Sequence, residues 1–348
     1  MITIGIDASR AEATHKTGVE RYSFELIKVM RSTMPDHMRV ILYSRVPLSA
    51  ELGPFDERWQ NKVLSWPLKY LWTQKRLSWE MLRRPPDVLF VPSAALPRIL
   101  PKRTVTTIHD ATFVEHPGLY SWWQRLTLPL GLWDARRATT VIVPSEFTRS
   151  QIKTDRAVVI PLGVSVTMTH DSKLMTQPYF LVVGRVDKKK NLGVVIDAFS
   201  KLKTQDSKLI IVGSFGFGAE QIVKHAQKSS AIKRIEFTGA VSDAELAQRS
   251  AGAVAVLHPC PVEGFGLPVI EAMTAGTPVI VADSGGAAEV AGDAAIRVAP
   301  TDPDAWAAAM EKVSDQNVRA TLIEKGKHRA AAFTWQRAAH DTWGVLVG

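Results

Sequence analysis

Short continuous apolar runs alternate with stretches of helical periodicity along the whole chain. The runs at 2–6, 40–43, 88–91, 105–108 and 141–143 predict strands. The amphipathic stretches at 18–30, 68–83 and 121–137 predict helices. Runs this continuous, spaced by helices, indicate parallel sheets covered on both faces. The alternation restarts after residue 166. Strands are predicted at 180–183, 208–212, 235–237, 254–257 and 279–282, and helices at 192–202, 219–227, 243–251, 268–275 and 303–313. The polar, weakly patterned segment 161–178 falls between the halves and reads as a linker. The pattern predicts an α/β protein of two doubly wound domains with a cleft between them. Ligands in such sheets bind beyond the carboxyl ends of the strands, so the polar residues there carry the candidate chemistry.

Composition narrows the class. With 348 residues, 46% hydrophobic and 22% charged, the chain can bury a large core without staples. One cysteine, Cys260, excludes an internal disulfide framework and a cysteine-based zinc site. No apolar run is long enough for a transmembrane helix. The first residues, MITIGIDAS, lack the basic and apolar regions of a signal peptide. The expected location is cytoplasmic. The charge is lopsided: residues 1–165 carry 23 Lys and Arg against 15 Asp and Glu, while residues 166–348 carry 20 against 19. Seven of the ten tryptophans also lie in the first half. A basic, Trp-rich half suggests an anionic partner.

Five segments at predicted strand ends could carry chemistry. The first is Glu263-Gly264-Phe265-Gly266-Leu267-Pro268, running on to Glu271. Its glycines bare backbone amides at a helix start, which is an anion site. Pro268 suits the first turn and Gly276 the end of that helix. Glu271 is expected in the first turn, and the two carboxylates bracket one pocket. A helix-capping and dipole role is the plainer account of the same glutamates. The second segment is Gly184-Arg185-Val-Asp-Lys188-Lys189-Lys190-Asn191, with Asn191 as an N-cap. Arg185 and Lys190 can neutralise a diphosphate and stabilise it as a leaving group. The third, Thr17-Gly18-Val-Glu-Arg21-Tyr22, lets a phosphate approach the backbone at Gly18. In the fourth, His109 follows an apolar strand and could bond a sugar hydroxyl, with Asp110 orienting the ring or positioning the loop. In the fifth, Ser284-Gly285-Gly286 joins a strand to a short helix and could line the far side of the pocket.

Taken in order, these segments resemble the retaining glycosyltransferases of family 4, which have the GT-B fold. The likeness spans nearly the whole chain: TGVERY, VPSEFTRSQI, IPLGV, GRVDKKKN, EGFGLPVIEAM, AGTPVI and GGAAEV, with Phe333-Thr-Trp335 opening the family's final helix. It implies two Rossmann-like domains facing a central cleft. Residues 1–165 would bind the acceptor, joined by a returning helix over 334–348, and 166–333 would bind the nucleotide sugar. Arg185 and Lys190 would contact the diphosphate, Glu271 the ribose, and Glu263 with the Gly264–Gly266 amides the hexose. Gly18 would approach the phosphate, His109 a sugar hydroxyl, and Val241, after Gly239, the base. The family needs no metal, and the chain lacks a DxD-type acidic cluster near the site. The likeness departs at Leu162 and Ser165, where Asn and Asp are frequent, at Cys260-Pro-Val before Glu263, and in a first loop with one glycine.

The resemblance leans to mannosyltransferases of surface-polysaccharide synthesis using GDP-mannose, with UDP-linked donors as the alternative. The acceptor would be a lipid-linked sugar or an oligosaccharide. Basic and aromatic residues interleave over Trp66, Lys69, Trp72, Lys75, Arg76 and Trp79, and again over Trp122, Trp123 and Arg125. They fit an interfacial element at the inner face of an anionic membrane. Core packing of the same tryptophans is the other reading. A NAD-dependent oxidoreductase is disfavoured, since Gly213, Gly216 and Gly218 have the wrong spacing for the dinucleotide fingerprint. The basic half brings no nucleic-acid-binding motif with it, and none is expected as a partner.

Overall fold

The computed structural model describes residues 1–13, 18–68, 70–165, 177–204 and 206–348. Thr17, Lys69 and most of the predicted linker, including the 165/166 boundary, lie outside the described residues. The chain forms two compact units. One comprises Met1–Val114, Trp123–Gly163 and Thr334–Gly348; the other comprises Glu115–Trp122 and Val164–Phe333.

The first unit holds a seven-stranded parallel sheet of β1 (Ile2–Asp7), β2 (Met38–Ser44), β3 (Trp59–Val63), β4 (Val88–Val91), β5 (Arg103–Thr107), β6 (Thr140–Val143) and β7 (Ala157–Val159). Its order is β3-β2-β1-β4-β5-β6-β7. Ile4 of β1 pairs with Val40 on one side and Val88 on the other, and all three are buried. A strand so enclosed must be apolar on both faces, hence the unbroken apolar runs. Sequence order reverses between β1 and β4, so this unit's switch point lies beyond the carboxyl ends of those two strands.

The first unit's helices include α1 (Gly18–Ser32), α2 (Ser78–Arg83), α3 (Trp122–Ala135), all but its first residue, and α4 (Glu146–Ile152). Ser145 caps α4 by accepting from the Thr148 amide at 3.0 Å. The single helix predicted at 68–83 is corrected. A π turn, Trp72–Leu77, precedes α2, and Leu71 is left-handed. The stripe breaks up accordingly. Trp72 is 4% exposed and donates its indole N–H to the Leu64 carbonyl at 2.8 Å, whereas Trp79 is exposed. Trp72 therefore belongs to the core and not to an interfacial face.

The second unit holds a six-stranded parallel sheet of β8 (Tyr179–Val183), β9 (Lys208–Val212), β10 (Ile235–Gly239), β11 (Ala255–His258), β12 (Val279–Ala282) and β13 (Ile296–Val298). Its order is β10-β9-β8-β11-β12-β13, with the switch point between β8 and β11. Its helices are α5 (Leu192–Ser200), α6 (Ala219–Gln227), α7 (Asp243–Gly252), α8 (Leu267–Thr274), α9 (Gly285–Ala291), α10 (Pro303–Val313) and α11 (Gln316–Ala330). Its core gathers Phe199, Ile196, Leu257 and Trp306. Ser242, Asp302 and Asp315 cap α7, α10 and α11 with side-chain oxygens.

The last helix, α12 (Trp335–Val347), belongs to the first unit. Thr334 caps it by accepting from the Arg337 amide. Trp343 donates to Thr33, and Arg103 donates to the Val345 and Val347 carbonyls. A Cβ on Gly163 would lie 2.3 Å from the Trp335 nitrogen, so only glycine fits where the two segments meet.

Candidate active site

The second unit's switch point is built from two loops. The first leaves β8 at Gly184. Asp187 accepts from the Lys189 amide at 3.1 Å and caps the short turn Lys188–Lys190. That turn brings Lys190 inward, where its ammonium forms an ion pair with the Glu263 carboxylate. Asn191 stands at the start of α5 in a left-handed conformation. Its side chain does not cap the helix; it donates to the Pro259 and Pro300 carbonyls and ties the loop down. Arg185 is exposed and lies across Gly216, where a Cβ would come within 2.4 Å of its Nε.

The second loop leaves β11 and runs through Cys260 and Glu263 into α8. It is pressed onto the start of α9. The Gly286 amide donates to the Glu263 carbonyl at 2.7 Å, and a Cβ on Gly286 would lie 2.2 Å from the Gly264 carbonyl oxygen. Ser284 donates to the Pro261 carbonyl at 2.8 Å. Ser284–Gly286 thus support the Glu263 loop from behind. Gly266 precedes α8 with a φ of +96°, and Pro268 sits in the first turn, as its missing N–H allows. Glu271 is corrected: it is the fifth residue of α8, in the second turn, so helix-end charge is not what favours it. Gly239 ends β10 with a φ of +74°, and Val241 follows half-exposed. Phe215, exposed beyond β9, lies 6.3 Å from Phe237 of β10.

Electrostatics at this switch point follow from burial and pairing. Burial alone would raise the Glu263 pKa, but the Lys190 ammonium, with Lys189 and His258, holds it far below the usual carboxylate range. Burial opposes the Lys190 charge, and Glu263 more than restores it, raising the ammonium above its ordinary value. The Cys260 thiol is pushed up to about 12 by burial and by Glu263, and donates to the Lys189 carbonyl. It is no nucleophile.

Sequence reasoning missed one member of this cluster. His258, the last residue of β11, is 2% exposed, and its Nε2 lies 3.9 Å from the Glu263 Oε2. Its place at the switch point of a six-stranded sheet marks it, but strand order is not written in local pattern.

The loops beyond β4 and β5, beside the first unit's switch point, differ. His109 follows β5, and its Nε2 lies 3.2 Å from the Pro92 carbonyl. Tyr22 packs edge-on at 4.5 Å and bonds Thr107 at 3.2 Å through its hydroxyl. Burial lowers the His109 pKa to about 4, against the Pro92 carbonyl and Asp110. The ring is neutral at pH 7, and donating from Nε2 leaves Nδ1 an acceptor. Asp110 accepts from the Thr112 amide at 2.7 Å and from its hydroxyl, so it shapes the loop. His109 and Asp110 line a cavity of about 610 Å³ with Arg10, Glu20, Ser93 and Phe113. Gly18 opens α1, and a Cβ there would meet nothing within 4 Å.

Two doubly wound parallel-sheet units of this kind are those of the GT-B fold. Residues 16–167 match the model "Glycosyltransferase Family 4", and residues 169–329 match "Glycosyl transferases group 1". The chain belongs to these glycosyltransferases and is an enzyme of that class. It is 25% identical over 365 residues to "O-antigen chain mannosyltransferase B" of Escherichia coli, covering 94% of each. It is 26% identical over 329 residues to the "GDP-mannose-dependent alpha-(1-6)-phosphatidylinositol dimannoside mannosyltransferase" of Mycobacterium tuberculosis, covering 91% of this chain and 78% of that one. Among solved structures, Anabaena Alr3699/HepE in complex with UDP and glucose superposes with a TM-score of 0.73 at 19% identity, covering 99% of both chains.

Proposed function

We propose that the chain is a retaining hexosyltransferase that moves mannose from GDP-mannose to a lipid-linked or glycan acceptor in surface-polysaccharide synthesis. The observation that carries this reading is the ion pair of Lys190 and Glu263 at the second unit's switch point, with Arg185 on the same loop. A nucleotide sugar brings a diphosphate with two negative charges, and these two cations match them. As the glycosidic C–O bond breaks, charge grows on the departing phosphate, and Arg185 and Lys190 stabilise it without a metal. Glu263 and the Gly264–Gly266 backbone hold the hexose, and Glu271 accepts from the ribose. The base packs at Val241 beyond Gly239, with Phe215 as a further aromatic face. Retention follows from front-face attack, with the departing phosphate accepting the acceptor's proton.

The first unit takes the acceptor. Neutral His109 accepts a hydrogen bond from a sugar hydroxyl beside the apolar cavity. Among the described residues no helix is long and apolar enough to cross a membrane. On α3, Trp122 is 70% and Trp123 61% exposed, with Leu126, Leu130 and Trp133 exposed as well. Beside Arg125 these residues suit an anionic lipid surface at the inner face of the membrane, reached from the cytoplasm.

The likeness to two mannosyltransferases, one of them GDP-mannose-dependent, supports the mannose reading. The UDP-bound neighbour favours a second reading, a UDP-sugar donor. Thermal shifts with GDP, UDP and NAD⁺ decide between them, since a ligand at about 100 times its dissociation constant adds ~2.7 kcal/mol. A GDP shift that is lost in Lys190→Ala, followed by mannosyl transfer with the α-anomer retained in the product NMR spectrum, is the expected result. A UDP shift alone replaces the donor, and a NAD⁺ shift alone overturns the transferase site.

A further inference from the structure

We propose that His258 is a positioning residue of the donor site: it takes over the Glu263 carboxylate as hydrogen-bond donor when a diphosphate draws Lys190 away. The inference rests on the donor-site reading above. Lys190 is paired with Glu263. An ammonium that turns toward a diphosphate shares its charge between two anions, which loosens its hold on Glu263. If it moves, Glu263 is left recessed and negative, a state that a half-buried carboxylate resists unless another donor steps in.

His258 is placed to be that donor. Its Nε2 is buried, has no hydrogen-bond partner, and lies 3.9 Å from the Glu263 Oε2. Native structures rarely leave such an atom unpaired without a reason. A shift of Glu263 by about 1 Å closes the gap to hydrogen-bond distance. With Lys190 beside Glu263 the imidazole is neutral, because burial lowers its pKa to about 4; Glu263 raises it, while Lys190 and Lys189 lower it. Cys260, two residues on, stays a neutral thiol. Moving the Lys190 charge onto a diphosphate weakens one repulsion and leaves the Glu263 attraction. His258 then takes a proton from solvent as the donor binds. No covalent bond forms or breaks in this exchange.

Calorimetric titration with GDP-mannose and with UDP-glucose tests it, near about pH 6 and in two buffers of different protonation enthalpy. Their doubly esterified diphosphates do not titrate there, so proton uptake reports on the protein. The wild-type chain is expected to take up a sizeable fraction of a proton per bound sugar nucleotide. His258→Asn keeps a neutral donor: it should bind within about threefold of wild type and take up none. His258→Phe should take up none and bind about tenfold more weakly, with thermal melts of both variants confirming the fold. Uptake that persists in both variants overturns the proposal. So does tight wild-type binding with no uptake, and so does wild-type affinity in His258→Phe. If neither sugar nucleotide binds the wild-type chain, the donor-site reading itself falls, which is a different result from binding without a proton.

Discussion

At the second unit's switch point the polar groups are charged and paired, Lys190 to Glu263, on loops clamped by close glycine contacts. Beside the first unit's switch point the ring of His109 is neutral, its carboxylate neighbour is spent on shaping a loop, and a roomy cavity lies alongside. The two sheets share a topology but not an electrostatic character. Charge at the second suits a phosphorylated leaving group, which must be held in one geometry while charge develops on it. A neutral acceptor and open space suit a hydroxyl-bearing partner of variable size. The fold repeats one sheet topology twice, and the proposed division of donor and acceptor rests on the loops after the strands.

The largest effect expected is on stability. It separates tryptophans that build the first unit from those that face outward. Trp72→Ala removes a buried indole and should cost about 3–5 kcal/mol in urea unfolding. Trp122→Ala and Trp123→Ala, both exposed, should leave the melt within about 0.5 kcal/mol yet weaken binding to vesicles containing anionic lipid. Unchanged vesicle binding in both would remove the membrane from the comparison and leave the cavity beside His109 alone.

The next effect bears on the charged switch point. Lys190→Ala should lower turnover with a verified donor by about 10²–10³-fold, equivalent to about 2.7–4 kcal/mol of transition-state stabilisation. Glu263→Ala should likewise lose most turnover, while circular dichroism shows both variants folded. Normal turnover in either variant would mean that the ion pair is structural and that the contrast between the two units is not one of function.

Acid titration sharpens the contrast from the side of the histidines. His109 and His258 both have pKa values lowered to about 4, against 6.5 for an ordinary histidine. The unfolded chain therefore binds protons that the folded chain refuses between those values, and stability falls as pH drops through that window. Each histidine should cost about 2 kcal/mol by about pH 5 relative to pH 7. Glu263 works in a different range. Its depressed pKa contributes stability above the unfolded carboxylate value, and that contribution is lost only at lower pH. Urea midpoints across this range should flatten in His109→Phe and in His258→Phe. A variant that keeps the wild-type slope would show that its histidine is not the group held neutral.

Most strands were legible because a strand covered on both faces must be apolar throughout, as β4 (VLFV) is. The sheet's outer strands were not: β3 reads WQNKV and β7 AVV, with half-covered positions and short length. The π turn at Trp72–Leu77 was hidden because six residues are too few for the pattern of apolar positions to separate an α from a π period. At the site, Arg185, Lys190 and Glu263 were visible as charge beside glycine. Asn191 read as a side-chain cap, which it is not: its amide is spent on the Pro259 and Pro300 carbonyls, 68 and 109 residues away. His258 was invisible for the same reason. Its significance comes from the strand beside it, and that neighbour is set by topology.

The smallest effect expected is at Gly18, and its value lies in its two signs. A Cβ at Gly18 would meet nothing within 4 Å, and the residue is not among the glycines with positive φ. Alanine there should therefore stabilise the chain by about 0.4–1 kcal/mol, chiefly by restricting the unfolded state. If the glycine is only a helix start, activity should be unchanged or rise with stability. If a phosphate closes on that backbone, the added methyl stands in its way, and the KM for the nucleotide sugar should rise while the melting temperature also rises. A variant that is more stable and equally active would return Gly18 to the role of an ordinary helix terminus and leave the first unit with His109 and the cavity as its chemistry.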